Sequence, residues 1–211
     1  MATFKGETVE KRAVTQHPIH DVLARRWSTR AFSGRKIEPE KIGSLLEAAR
    51  WAPSSQNGQP WTFLLAFKEN QEEFERMLSC LTERNIPWAR LASLLVLTTT
   101  KVQSDQDRHA YHDLGLAVGN LTAQATALNL FVHQMAGFYP DKARATFGIP
   151  AGHEPVTVLA IGYYGSPEEL PEDRQKQEVA LRVRKPLEQF VFEGGWGRPA
   201  ALLAKDLAEL R

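Results

Sequence analysis

Apolar residues follow two rhythms along this chain. Ile42, Leu45, Leu46 and Ala49 recur at i, i+3, i+4 and i+7, which places them on one face of a helix. Pro39 suits the first position of that helix, and Pro53 stops it. Three other stretches, residues 61–67, 93–100 and 156–164, are continuously apolar or β-branched. Their length and composition predict largely buried strands. Helical patterns cover 21–27, 70–81 and 107–130, and a further helix is opened by Pro140 and closed by Gly148. Residues 131–139 read as irregular. Beyond Pro167 the chain turns charged and irregular, and a helical pattern returns at 199–211.

The 107–130 pattern is rich in small residues: Gly115, Ala117, Gly119, Ala123, Ala125 and Ala127. They let another backbone come close, so this helix is expected to be packed on all sides, including across a dimer interface. No repeat, linker or low-complexity tract divides the 211 residues, and one domain is expected over 1–211, with a loose N-terminal arm at 1–18.

Composition narrows the picture mainly by exclusion. Hydrophobic residues make up 43% and charged residues 24%, as in ordinary globular proteins. The formal net charge of +1 gives no long-range field for nucleic acid or an anionic membrane, and neither is expected as a partner. The first 20 residues are polar and no apolar run reaches the roughly 18 residues of a membrane span. Cys80 is the only cysteine and reads as a buried structural thiol. A cytoplasmic protein without disulfides is expected.

Several chemistries lack their signatures. There is no Gly-x-Gly-x-x-Gly after a strand, no P-loop and no Gly-x-Ser-x-Gly elbow. The pairs His17/His20 and His109/His112 have no Cys or carboxylate cluster to complete a metal site. Asn120-Leu121-Thr122 matches a glycosylation sequon but lies inside a helical pattern.

Two basic clusters are more informative. Arg25, Arg26 and Arg30 surround the hydroxyls Ser28 and Thr29, and Arg182, Arg184 and Lys185 form a second cluster far along the chain. Joined by the fold, they would make a guanidinium-rich phosphate pocket, because the planar Arg fork gives two parallel bonds to phosphate oxygens. Each such charged bond contributes about 1.5–3 kcal/mol. The clusters read equally well as solvated surface patches.

Four motifs decide between these readings by resemblance. Residues 26–32, Arg-Trp-Ser-Thr-Arg-Ala-Phe, resemble the opening motif of the FMN-dependent nitroreductase family. Residues 52–61, Ala-Pro-Ser-Ser-Gln-Asn-Gly-Gln-Pro-Trp, resemble its second motif. Residues 133–138 resemble the segment over the flavin, and 182–187 the C-terminal phosphate element. All four occur in family order. Taken singly, Pro53 can simply end a helix, Trp61 and Phe63 can fill a core, and Gly137 can make a turn.

The resemblance implies an α+β nitroreductase-like fold, with a central mixed, mostly antiparallel sheet flanked by helices. It also implies an intertwined homodimer with FMN sites at the interface, and a C-terminal extension, 168–211, reaching the partner subunit. Arg26, Ser28, Arg182 and Arg184 would hold the FMN phosphate. Arg30 would face the pyrimidine edge of the ring and stabilise the negative charge that reduction places there. Pro53, Ser54 and Ser55 would pack on the flavin from the partner subunit, with Asn57 nearby, and Asn85 would hydrogen-bond it. Gln134, Met135 and Gly137 would line the other face, the Gly137 amide reaching N5. Many members carry a glutamate where this chain has Ala136, which weakens the transfer of their nicotinamide and substrate preferences but leaves the backbone contact to N5 open.

The implied activity is ping-pong reduction of nitroaromatics, quinones or similar small-molecule acceptors, with NADPH or NADH as donor and hydride passing through N5. No catalytic side chain and no metal are implied, because the flavin carries the chemistry. Enzymes of the same resemblance that act as dehalogenases, enone reductases or flavin-fragmenting enzymes form a second class. A non-enzymatic FMN-binding sensor or flavin store is a third.

Overall fold

The computed structural model describes residues 11–102 and 107–203. The chain divides into two compact units, Met1–Ala180 and Leu181–Arg211.

The first unit is built on a four-stranded sheet. Its strands are β1 (Trp61–Phe67), β2 (Leu94–Lys101), β3 (Phe131–Met135) and β4 (His153–Gly162), in the order β1-β2-β4-β3. Every pairing among them is antiparallel. The register shifts between Thr98 and Thr99, where Thr98 faces Thr157 but Thr99 faces Pro155. This bulge leaves Val156 unpaired in register and accommodates a proline that has no N–H to give the ladder.

The helices are α1 (Asp21–Arg25), α2 (Pro39–Arg50), α3 (Gln71–Ser79), α4 (Ile86–Ala89), α5 (Arg108–Ala127), α6 (Pro140–Phe147) and α7 (Glu172–Val179). Side chains alternate across the sheet. Leu94 and Val96 point to one face, with Leu159, Ile161 and Val132, and pack against Leu45 and Ala49 of α2 and Leu114, Ala117 and Leu121 of α5. Leu95 and Leu97 point to the other face, with Val158, Ala160 and Met135, and pack against Phe74, Met77 and Leu78 of α3 and Trp88 of α4. Both faces are therefore covered. This explains why β2 reads as a continuous buried run although its neighbours are antiparallel. Cys80 is a buried free thiol at the end of α3.

Local signals behave as their chemistry requires. Asn70 caps α3, and Pro39 and Pro140 occupy first-turn positions. Gly148 ends α6 at φ 61°, a left-handed position glycine adopts without cost. Two segments depart from the sequence reading. Residues 131–135 form the edge strand β3 rather than an irregular stretch; its alternation is blurred by the polar pair His133 and Gln134. Residues 172–179 form α7, although they lack an apolar stripe, because the side chain this helix buries is Glu178.

In α5 the buried face is Leu114, Ala117, Val118, Leu121 and Ala125. The opposite face, with Tyr111, Gly115 and Gly119, is exposed. A Cβ added at either glycine meets nothing within 4 Å. Nothing in this chain's own packing calls for those two glycines. No described helix is long and apolar enough to cross a membrane.

The C-terminal unit contains a short 3-10 turn at Leu187–Gln189, a bridge between Phe192 and Pro199, and another 3-10 turn at Ala201–Leu203. Phe192 and Trp196 stack at 5.6 Å between ring centres. Gly194 and Gly197 take left-handed φ values of 74° and 82°. Leu181, Val183, Phe190 and Trp196 are exposed. The helical pattern at 199–211 lies mostly outside the described residues.

Candidate functional site

The chain leaves α1 at Arg26 in an extended conformation. Burial then alternates: Trp27, Thr29 and Ala31 are buried, while Arg26 and Arg30 are half-buried and Ser28 is exposed. The two-residue period puts Arg26, Ser28 and Arg30 on the outward side of one short segment. The inward residues anchor it. Trp27 packs edge-on against Phe131 and tilted against Tyr164, with centroids 5.7 and 5.5 Å away. The Ala31 carbonyl accepts the Gly165 N–H at 2.8 Å. Arg26 also reaches Ser28 Oγ at 3.4 Å.

Beneath Arg30 lies a buried polar cluster. Its guanidinium sits 5.6 Å from the centre of the Trp88 ring. The His133 ring packs on the same indole at 4.4 Å. His133 Nδ1 lies 2.8 Å from the Thr29 carbonyl; a carbonyl only accepts, so Nδ1 carries the proton. Burial first, and the Arg30 charge less, push the His133 pKa down to about 4, against the opposing pull of the Thr29 bond. Arg30 Nε and Trp88 Nε1 are both buried with no hydrogen-bond partner. Two donors left unsatisfied in one place are unusual for a folded protein and point to a group that accepts from them.

Asn85 and Gly137 meet close by in sequence terms to this cluster, at the start of α4 and after β3. The Gly137 carbonyl accepts from Asn85 Nδ2 at 2.9 Å and from the Thr82 N–H and hydroxyl, each at 3.1 Å. Phe138 N–H bonds back to the Ala136 carbonyl at 3.1 Å, a tight turn centred on Gly137. A Cβ at this position would sit 2.6 Å from Asn85 Nδ2 and 3.0 Å from Thr82 Oγ1. Glycine is required there by close approach. Gln134 is exposed, whereas Met135 is buried in the core.

The loop at 53–59 is separate. Its hydrogen bond to the rest of the unit runs to α5, from the Ser55 N–H to the buried Asp113 carboxylate at 2.9 Å. Ser54 Oγ accepts the Gln59 N–H at 3.1 Å. Gln56, Asn57 and Gln59 have φ values of 52°, 55° and 45°, while Gly58 is right-handed. Left-handed backbone at non-glycine residues costs on the order of 1 kcal/mol or more each. Pro53, Ser55 and Asn57 are exposed, and Ser54 is half-buried.

Arg182 and Arg184 belong to the C-terminal unit. Burial, and then the charge of Arg184, lower the Arg182 pKa. Two guanidiniums that repel each other favour an anion that relieves the repulsion. Among the described residues, no group of three His, Cys, Asp or Glu could hold a metal ion.

The structure thus brings Arg30 together with Trp88 and His133, and Asn85 together with Gly137. It leaves 53–57 on α5. Sequence reasoning missed Trp88, Thr82, Asp113 and Glu178. Asp113 carries a weak signal, as an acid inside the small and apolar pattern of α5.

The profile of the nitroreductase family matches residues 23–95 and 82–163. This chain belongs to the nitroreductase family. An uncharacterized 15.4 kDa protein of Mycolicibacterium smegmatis is 36% identical over 124 residues, covering 58% of this chain and 84% of its own. The major NAD(P)H-flavin oxidoreductase of Aliivibrio fischeri is 25% identical over 217 residues, 79% of this chain and 99% of its own. A crystal structure of an oxidoreductase containing FMN superposes with a TM-score of 0.81 at 32% identity, over 90% of this chain and 98% of that one.

Proposed function

We propose that this protein is an FMN-dependent NAD(P)H oxidoreductase that works as a homodimer and reduces nitroaromatics, quinones or similar planar acceptors. The observation that carries this reading is the outward row Arg26, Ser28 and Arg30, with Arg30 over a cluster whose buried donors lack acceptors. That donor set fits FMN. Arg26 and Ser28 suit its phosphate; Arg182 and Arg184 of the C-terminal unit carry the same kind of group. Arg30 suits the electron-rich pyrimidine edge.

When bound, FMN supplies two-electron chemistry, taking hydride from a reduced nicotinamide at N5 and delivering it to an acceptor. The protein positions and polarises. Thr82 and Asn85 hold the Gly137 turn in one orientation, and its amide would meet the ring of a bound flavin. Gln134 and the Met135 backbone would flank that ring. Ala136 is exposed and brings no polar group to an acceptor.

Pro53, Ser55 and Asn57 are exposed and share no hydrogen bond with the Arg30 cluster among the described residues, and the loop is tied to α5. This supports their acting on the FMN of a second copy. The exposed Tyr111, Gly115 and Gly119 face of α5 supports the same arrangement, as do the exposed apolar side chains of 181–196 for an extension that crosses the partner.

The test is reduction. Purified protein should be yellow, and anaerobic NADPH or NADH should bleach it. Bound FMN that neither nucleotide reduces would exclude the reductase reading and favour a flavin-binding module.

A further inference from the structure

Glu178 is the one acid of α7 that is buried, with 1% of its surface exposed. A carboxylate taken out of water costs several kcal/mol unless hydrogen bonds and charge replace its hydration. Here both oxygens are used. One accepts the Thr29 hydroxyl and the other the backbone N–H of Arg30 at 3.1 Å. Its own backbone carbonyl accepts Lys11 Nζ at 2.7 Å. The acid therefore grips the two residues that set the direction in which Arg30 leaves the chain.

Charge runs through the same contact. No ion pair among the described residues joins Arg30 to Glu178, yet each lies within the other's field. Burial and the like charge of Arg174 both work against the Arg30 cation, and Glu178 opposes them. Arg174 is itself on α7, with its side chain 17% exposed. One helix thus presents a negative and a positive group to a single half-buried guanidinium. The Tyr164 hydroxyl, also buried without a partner, lies in the field of Glu178 as well.

We propose that Glu178 is a positioning residue that aims Arg30 and tempers its positive charge, so that α7 tunes the reduction potential of the flavin that Arg30 faces. The proposal rests on the reading of Arg30 at the pyrimidine edge. A cation at that edge stabilises charge that builds up on reduction and raises the potential. A carboxylate behind the cation offsets part of that effect.

Glu178→Gln separates charge from structure. The Gln oxygen can still accept the Arg30 N–H, its amide can donate to Thr29 Oγ1, and the Thr29 hydroxyl can turn to the Ala31 carbonyl 3.4 Å away. A purely structural role predicts no change in potential, or poorer FMN retention. The tuning role predicts that the midpoint potential of bound FMN, measured by equilibration with reference dyes, moves to more positive values in E178Q. An unchanged or lower potential overturns the proposal. Should E178Q not fold, Arg174→Gln removes the cation on the same helix and must lower the potential; no shift there overturns it equally. A wild type that binds no FMN overturns the functional reading and this coupling with it. A wild type that binds FMN with a potential indifferent to E178Q overturns the coupling alone.

Discussion

Residues 26–32 are held from beneath by buried polar bonds, whereas residues 53–59 stand out in a conformation that costs energy. In the first segment every second side chain is an anchor: Trp27 in an aromatic cluster, Thr29 on Glu178, and the Thr29 carbonyl on His133. The outward residues are thereby aimed before any ligand arrives. In the loop three non-glycine residues adopt positive φ, and the hydrogen bond that ties it to a helix goes to Asp113. Pro53, Ser55 and Asn57 of this loop are exposed. On the function proposed above, the cationic row is the half of the site that this chain prepares, and the polar loop is the half that it offers to a second copy.

Acid should break the first half most strongly. His133 titrates near 4 in the folded protein and near 6.5 when unfolded. Above pH 6.5 it is neutral in both states and contributes nothing. Between pH 6.5 and 4 only the unfolded chain gains the proton, so stability falls as pH falls. The full loss is about 3 kcal/mol by linkage. His133→Asn keeps a donor for the Thr29 carbonyl but cannot titrate. Urea unfolding of the apoprotein at pH 7 and pH 4.5 should show a smaller loss in this variant; equal losses would show that His133 is not buried neutral.

Removing an outward cation should act on the ligand rather than on the fold. Arg26→Ala and Arg184→Ala each delete charged bonds of about 1.5–3 kcal/mol, roughly a tenfold to hundredfold weaker FMN affinity. Both variants should purify as dimers with little colour. Full FMN occupancy in both would show the phosphate assignment to be wrong.

The loop should respond least. Asp113→Ala deletes one bond to a charged acceptor, and the loss is partly offset because a buried carboxylate goes with it, leaving about 1–2 kcal/mol. Its signature is a lower unfolding midpoint together with faster FMN dissociation. A lower midpoint with unchanged dissociation would separate the loop from the site.

The sequence carried the parts of this account that depend on local chemistry. The strand at 61–67, the proline starts of α2 and α6 and the Gly148 stop are set by neighbours a few residues away. The strand 131–135 was hidden because an edge strand needs only one partner and tolerates His133 and Gln134. Helix α7 was hidden because it buries a carboxylate, which periodicity cannot detect. Candidate residues in the four motifs were legible through family resemblance, while their supports were not. Thr29 and Glu178 lie 149 positions apart, and Ser55 and Asp113 lie 58 apart. Pairings of that reach exist only once the chain is folded.

The most direct test of the central claim is an anaerobic titration of the purified, FMN-loaded protein with NADPH and, separately, NADH. Complete bleaching of the flavin is expected from about one equivalent of nucleotide per FMN with at least one of the two, and the colour should return when a quinone or nitroaromatic is added. Flavin that stays oxidised with excess of both nucleotides would contradict that claim.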